Sequence, residues 1–167
     1  MVTIEECKEG RLITKDKVEV AYEHYQNKAD SIVVVCPGFF NSKSNRMMKV
    51  TVKMLLEKHD VFIFDFRGHG QSGGLFTWLA REHWDLEAVL DFVKPFNYRS
   101  VGILGYSLGA AATINTVAYR DDVNCAALIS APVSFWGINY HFWEPEMLSD
   151  LRDNFQCRWE GKGARVH

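Results

Sequence analysis

The five residues Gly105-Tyr106-Ser107-Leu108-Gly109 constrain this chain more than any other stretch. They match G-x-S-x-G, with a β-type run, Ser100-Val101-Gly102-Ile103-Leu104, before them and a small-residue helical run, Ala110-Ala111-Ala112-Thr113-Ile114, after them. A serine at a tight strand-to-helix turn needs glycine two positions to either side, because the two backbones pass too closely for a Cβ. Such a turn leaves the Oγ exposed above a sheet and places free N–H groups and the positive end of a helix dipole at the same point. Those features suit a nucleophile whose reaction builds an oxyanion, so Ser107 is the candidate catalytic residue and Gly105 and Gly109 are its elbow glycines. Gly70-Gln71-Ser72-Gly73-Gly74 satisfies the same pattern. Ser72, however, follows the turn-forming run Arg67-Gly68-His69-Gly70 and has no helix starting at it, so context favours Ser107.

Around the elbow the chain reads as strand alternating with helix. Arg11–Thr14 and Val18–Tyr25 read as a half-exposed antiparallel hairpin turning at Lys15-Asp16-Lys17. Four continuous apolar runs follow, Ile32–Cys36, Val61–Phe66, Val101–Leu104 and Cys125–Ile129, of the kind expected for strands buried on both faces. Between them, Arg46–His59 carries Met47, Val50, Met54 and Leu55 on one helical face, and Leu79–Val93 carries Leu79, Leu86, Val89, Leu90 and Val93 before Pro95 ends it. The alternation predicts a three-layer α/β unit with a mostly parallel sheet and an N-terminal antiparallel hairpin. Ligands in such sheets sit beyond the carboxyl ends of the strands, where 37–41, 67–74, the Ser107 turn and 130–132 converge on one site. After Pro132 the pattern changes to aromatics interleaved with acids, read as a helical lid over 134–161. The expected organisation is a core over 1–133, that lid, and a tail over 162–167.

At 167 residues, with 47% hydrophobic and 24% charged residues, the composition suits one globular domain. A net charge of −2 supplies no basic field for nucleic acid. The acidic start lacks the order of a signal peptide, and the longest apolar run, Ile32–Phe40, is broken by Pro37 and Gly38. The expectation is a soluble cytoplasmic protein with no membrane span and a small-molecule partner. Its four cysteines have no Cys-x-x-Cys spacing; Cys36 and Cys125 lie in apolar runs, and reduced, buried thiols are expected.

Three motifs in order resemble those of the α/β-hydrolase family, in its lidded esterase and serine-aminopeptidase-like branch. Pro37-Gly38-Phe39 is similar to the family's His-Gly-Phe loop, Asp65-Phe66-Arg67-Gly68-His69-Gly70-Gln71-Ser72 to its Asp-x-Arg-Gly-His-Gly-x-Ser turn, and Gly105–Gly109 to its elbow. The resemblance implies a serine hydrolase that acts on carboxylic esters, thioesters or small amides through an acyl-enzyme on Ser107. It also implies an oxyanion hole made by the backbone N–H groups of Phe39 and Leu108, and no cofactor or metal. Cys36 departs from the usual histidine, which bears on the packing of the loop and not on its backbone donors.

The family order also places an acid and then a histidine after further strands, each needing a unit of about 25 residues or more. Residues 161–167 have no room for these, so the chain reads as truncated after the sixth strand, with its C-terminal strands missing and its activity weak or absent. His69 is the only histidine on an active-side loop and reads as shaping its turn. His83 reads as a packed helix residue, and His24 and His59 as solvent-facing. His141 and His167 lie in the lid and tail, and Asp150 and Asp153 read as a solvated lid face. No triad acid or base is named.

Two other readings bear weighing. The first is a non-catalytic ligand-binding or self-associating module of the same fold, with the exposed edge of the sixth strand as the surface for a homo-oligomer. The second is a dinucleotide site at Gly68-His69-Gly70-Gln71-Ser72-Gly73, which fits G-x-G-x-x-G. Its glycines do not open the next helix directly, expected near Thr77, and position 88 falls within that helix, so this reading is set aside.

Overall fold

The computed structural model describes residues 6–132. It contains six strands, β1 (Glu6–Ile13), β2 (Glu19–Gln26), β3 (Ser31–Cys36), β4 (Asp60–Phe64), β5 (Ser100–Tyr106) and β6 (Cys125–Ile129), and three helices, α1 (Arg46–Leu55), α2 (Glu82–Val93) and α3 (Leu108–Val117). One sheet runs in the order β1-β2-β4-β3-β5-β6. The first two pairings, β1 with β2 and β2 with β4, are antiparallel, and all the others are parallel. The fold is that of the α/β hydrolases. The lid and tail segments lie outside the described residues.

The order of strands explains where a site can form. From β3 the chain crosses by α1 to β4 on one side, then by α2 to β5 on the other. The chain leaving β3 and β5 therefore leads to helices on opposite faces of the sheet, the point at which such sheets place a ligand site. The helices lie on opposite faces: Leu86, Val89, Leu108 and Ala112 from α2 and α3 join one core with Val34 and Phe62, while Met48 and Val52 from α1 join a second with Val35, Val61 and Ile63.

The hairpin turns where the sequence places it. Lys17 sits at φ 65°, and its N–H donates to Thr14 O at 2.8 Å. It is not half-exposed throughout, because β2 lies between β1 and β4 and is buried along most of its length. His24 is accordingly buried, where the sequence suggests solvent; its Nε2 lies 3.1 Å from the Tyr98 hydroxyl, which donates to Asp60 Oδ2 at 2.7 Å. Burial lowers its pKa. His59 is half-buried, with Nδ1 2.6 Å from Ser31 Oγ.

Three further expectations are corrected. Helix α1 buries Met48 and Val52 and leaves Met47, Val50 and Met54 exposed. The segment carries two apolar stripes, and the one that packs lets Lys49 reach Glu23 on β2 at 2.5 Å. Helix α2 starts at Glu82 rather than Leu79, since Trp78 and Leu79 both hold positive φ and break the helical run; the Thr77 hydroxyl and N–H bind the Glu82 carboxylate just ahead of it. Strand β6, an edge strand paired with β5 alone among the described residues, is exposed at every position instead of buried on both faces. Cys125 is thereby exposed, as is Cys7, whereas Cys36 is buried.

Candidate active site

Ser107 caps α3 from a backbone at φ 47°, ψ −109°, a conformation that costs a non-glycine residue about 1–3 kcal/mol and persists where its surroundings enforce it. Those surroundings are specific. A Cβ at Gly109 would lie 2.2 Å from Cys36 O and 2.6 Å from Pro37 O, and one at Gly105 would lie 2.7 Å from the Ala110 Cα. The start of α3 is thus pressed onto the end of β3 and back against β5. On the other side, the Ser107 N–H donates to Ile129 O at 2.8 Å, and its carbonyl accepts Ala111 N–H at 3.1 Å.

The result is a residue fixed by its backbone with its side chain exposed. Its Oγ makes no capping hydrogen bond. Leu108 is the first residue of α3, so its N–H belongs to the group of donors that a helix cannot satisfy internally. Its side chain is buried in the core.

The loop after β3 lies directly against this turn. A Cβ at Gly38 would lie 3.4 Å from the Ser107 Cβ and 3.2 Å from Tyr106 O, which brings Phe39 beside the serine. Phe40 holds φ 59°, and the Phe39 ring packs on Phe40, Phe76 and Trp78 with centroids 3.6, 4.6 and 5.5 Å away. The loop that meets Ser107 is therefore anchored by an aromatic cluster packed on the core. Cys36, which follows from the sequence as a packing question, is fully buried at the end of β3. Burial pushes its thiol up to about 12, against a hydrogen bond from Thr113, and a thiol so placed is inert.

The second glycine-rich serine is engaged differently. Ser72 Oγ donates to Asp65 O at 2.6 Å and accepts Ala21 N–H at 2.8 Å. It is a buried tie between β2 and the loop after β4. His69 is buried as well, with Nδ1 3.0 Å from Arg67 O and its ring edge-on to Phe39 and Phe76, a shaping role for the turn. His83 is half-buried and edge-on to Trp84.

Arg67 anchors the same turn from below. It holds Asp85 of α2 through Nε and a second nitrogen at 2.9 and 2.7 Å, and Asp16 of the hairpin turn at 2.8 Å. Sequence reasoning gave no role to Lys43 or Glu23, which meet in the interior beside this loop; a lone lysine in a loop carries no pattern that marks it as buried. His141, Asp150 and Asp153 lie outside the described residues.

With that geometry in place, comparison with known proteins gives a consistent result. The chain is 24% identical over 113 residues to an uncharacterized hydrolase, YugF, of Bacillus subtilis, covering 68% of this chain and 41% of that protein. It is 31% identical over 134 residues to a protein of Cyberlindnera jadinii described as a "Probable alcohol acetyltransferase", covering 73% and 38%. The chain thus spans about two fifths of the length of these relatives. Among solved structures it is similar to an esterase of Pyrococcus furiosus, with a TM-score of 0.74 at 27% identity, covering 90% of this chain and 63% of that one. Residues 27–160 match the family model described as serine aminopeptidase, S33, and the chain belongs to that family of α/β hydrolases.

Proposed function

We propose that Ser107 is the nucleophile of an acyl-transfer site that cleaves carboxylic esters, thioesters or small amides. The observation that supports this most directly is an exposed serine, held at positive φ on the first turn of a helix, with the loop after β3 laid against its Cβ. In the reaction, Oγ adds to the substrate carbonyl carbon and its proton passes to a base. The oxyanion that forms is held by the N–H groups of Leu108 and Phe39, worth about 3 kcal/mol per donor in such sites. The C–O, C–S or C–N bond then breaks, the leaving group takes up a proton, and water releases the acid from the acyl-enzyme. An alcohol in place of water would yield an ester, the chemistry named for the Cyberlindnera protein.

No residue among 6–132 is assigned as base or acid. A serine hydroxyl without a base is a weak nucleophile, so the proposed reaction needs a base from outside residues 6–132. The aromatic residues of 134–161 are proposed as a lid that shapes the acyl pocket.

The test is covalent. A fluorophosphonate should label Ser107 and not Ser72, as read by peptide mass mapping, and Ser107→Ala should abolish the labelling. Label that persists in that variant, or none on a folded chain that spans the full length of its relatives, would sink the reading. A second reading, a non-catalytic ligand-binding or self-associating module of the same fold, is motivated by the lack of an assigned acid or base among the described residues. It expects a folded chain that binds acyl ligands and hydrolyses an activated ester no faster than Ser107→Ala; a burst of product lost in that variant argues against it.

A further inference from the structure

We propose that Asp65 is a positioning residue, whose carboxylate clamps together the two loops flanking Ser107 and so sets the direction of the Phe39 N–H. The proposal rests on the reading of Ser107 and Phe39 above for its chemical meaning.

Asp65 follows β4 directly and is 1% exposed. Its Oδ1 accepts the Lys43 N–H at 2.6 Å, from the loop after β3, and its Oδ2 accepts the Gln71 N–H at 2.9 Å, from the loop after β4. The two donors require two acceptors. An asparagine offers one oxygen and would turn an N–H₂ group toward the other donor. Space is as specific as charge here: a Cβ at Gly70 would lie 2.3 Å from Asp65 Oδ2, so the second loop can close on the carboxylate only with glycine at that position. The same two loops are joined again by Lys43, whose buried Nζ donates to Gln71 Oε1 at 2.8 Å and lies 3.5 Å from Glu23 Oε1.

The clamp is itself immobile. The Asp65 N–H donates to Ala21 O at 2.9 Å, and its carbonyl accepts Ser72 Oγ, so its backbone is fixed to β2. The loop it holds is short. At one end Gly38 is wedged against Tyr106 O and the Ser107 Cβ; at the other, Lys43 is held by Asp65. Between them the Asn41 N–H donates back to Gly38 O at 3.2 Å, and Phe40 takes positive φ. Phe39 therefore lies on a segment whose two ends are both fixed, one of them by a buried carboxylate. Burying an ion is costly unless it is fully hydrogen-bonded, and each Asp65 side-chain oxygen accepts a backbone N–H.

The experiment uses the 15N-labelled 167-residue chain and its Asp65→Asn variant. In the variant, amide exchange at Lys43 and Gln71 is expected to quicken by about tenfold or more, while Val34 and Ile63 in the central strands change by less than about twofold. The Phe39 amide cross-peak is expected to move. Lys43→Met, which removes the side-chain link and leaves the backbone bond, is expected to shift Phe39 less. Unchanged exchange at Lys43 and Gln71, or an unmoved Phe39 cross-peak, overturns the clamp. Should Asp65→Asn not fold, the unaltered chain carries the test: Lys43 and Gln71 amides share one carboxylate and are expected to open together, and protection differing by more than about tenfold overturns the proposal. The outcome for the nucleophile is separate. Labelling that survives Ser107→Ala removes that reading and leaves the clamp standing; an unmoved Phe39 does the reverse.

Discussion

Position 109 shows how little freedom the elbow allows. Gly109→Ala would drive a methyl group into the carbonyls of Cys36 and Pro37, both backbone atoms that cannot turn aside. The expected cost is about 3 kcal/mol, the upper part of the usual range for overpacking, and urea unfolding of the variant measures it. Cys36 makes a second prediction of the same grain. With its thiol fully buried and pushed up to about 12, it should resist Ellman's reagent in the folded chain while the exposed Cys7 and Cys125 react. Mass mapping of the modified sites decides this, and rapid modification of Cys36 would contradict the packing described.

Between elements, the buried guanidinium of Arg67 ties the hairpin turn to α2. Arg67→Ala leaves Asp85 buried without its partner, and breaking such a pair costs about 3–5 kcal/mol. The hydrogen bonds from Arg67 also hold Asp16 at about 2, below its ordinary 3.8. The unfolded chain thus binds this proton first as pH falls, so the stabilisation is present above about pH 4 and lost towards about pH 2, about 2 kcal/mol in all. Thermal melts across that range, compared with Asp16→Asn, isolate the group; an acid limb equally steep in the variant would refute the assignment.

At this scale the strands were largely legible, because β3, β4 and β5 are continuous apolar runs in a sheet covered on both faces. The elbow was legible for a related reason: its glycines are demanded by backbone contacts of only a few ångströms. What periodicity missed was set by distant partners. Met48 and Val52 pack on Val35, Val61 and Ile63 of the sheet, and His24 is buried by the Phe62, Phe96 and Tyr98 rings. None of these neighbours is near in sequence.

Among the described residues, β6 is exposed at every position. It presents Cys125-Ala126-Ala127-Leu128-Ile129 with no charge or proline to discourage pairing. Association of the 167-residue chain through this edge is expected, and Leu128→Lys should reduce it, as read by sedimentation velocity across a range of concentrations. An unchanged distribution would remove β6 as the contact.

The match to the family begins at residue 27, just after β2 ends. Yet β2 hydrogen-bonds to β4 along its edge, accepts the Asp65 N–H through Ala21, and brings Glu23 to the buried Lys43, while the hairpin turn supplies Asp16 to Arg67. The family match therefore starts inside a network of contacts that reaches back into β2 and the hairpin turn. A chain shortened to start at residue 27 would keep all three sequence motifs and lose the contacts that β2 and the hairpin turn make to Asp65, Lys43 and Arg67.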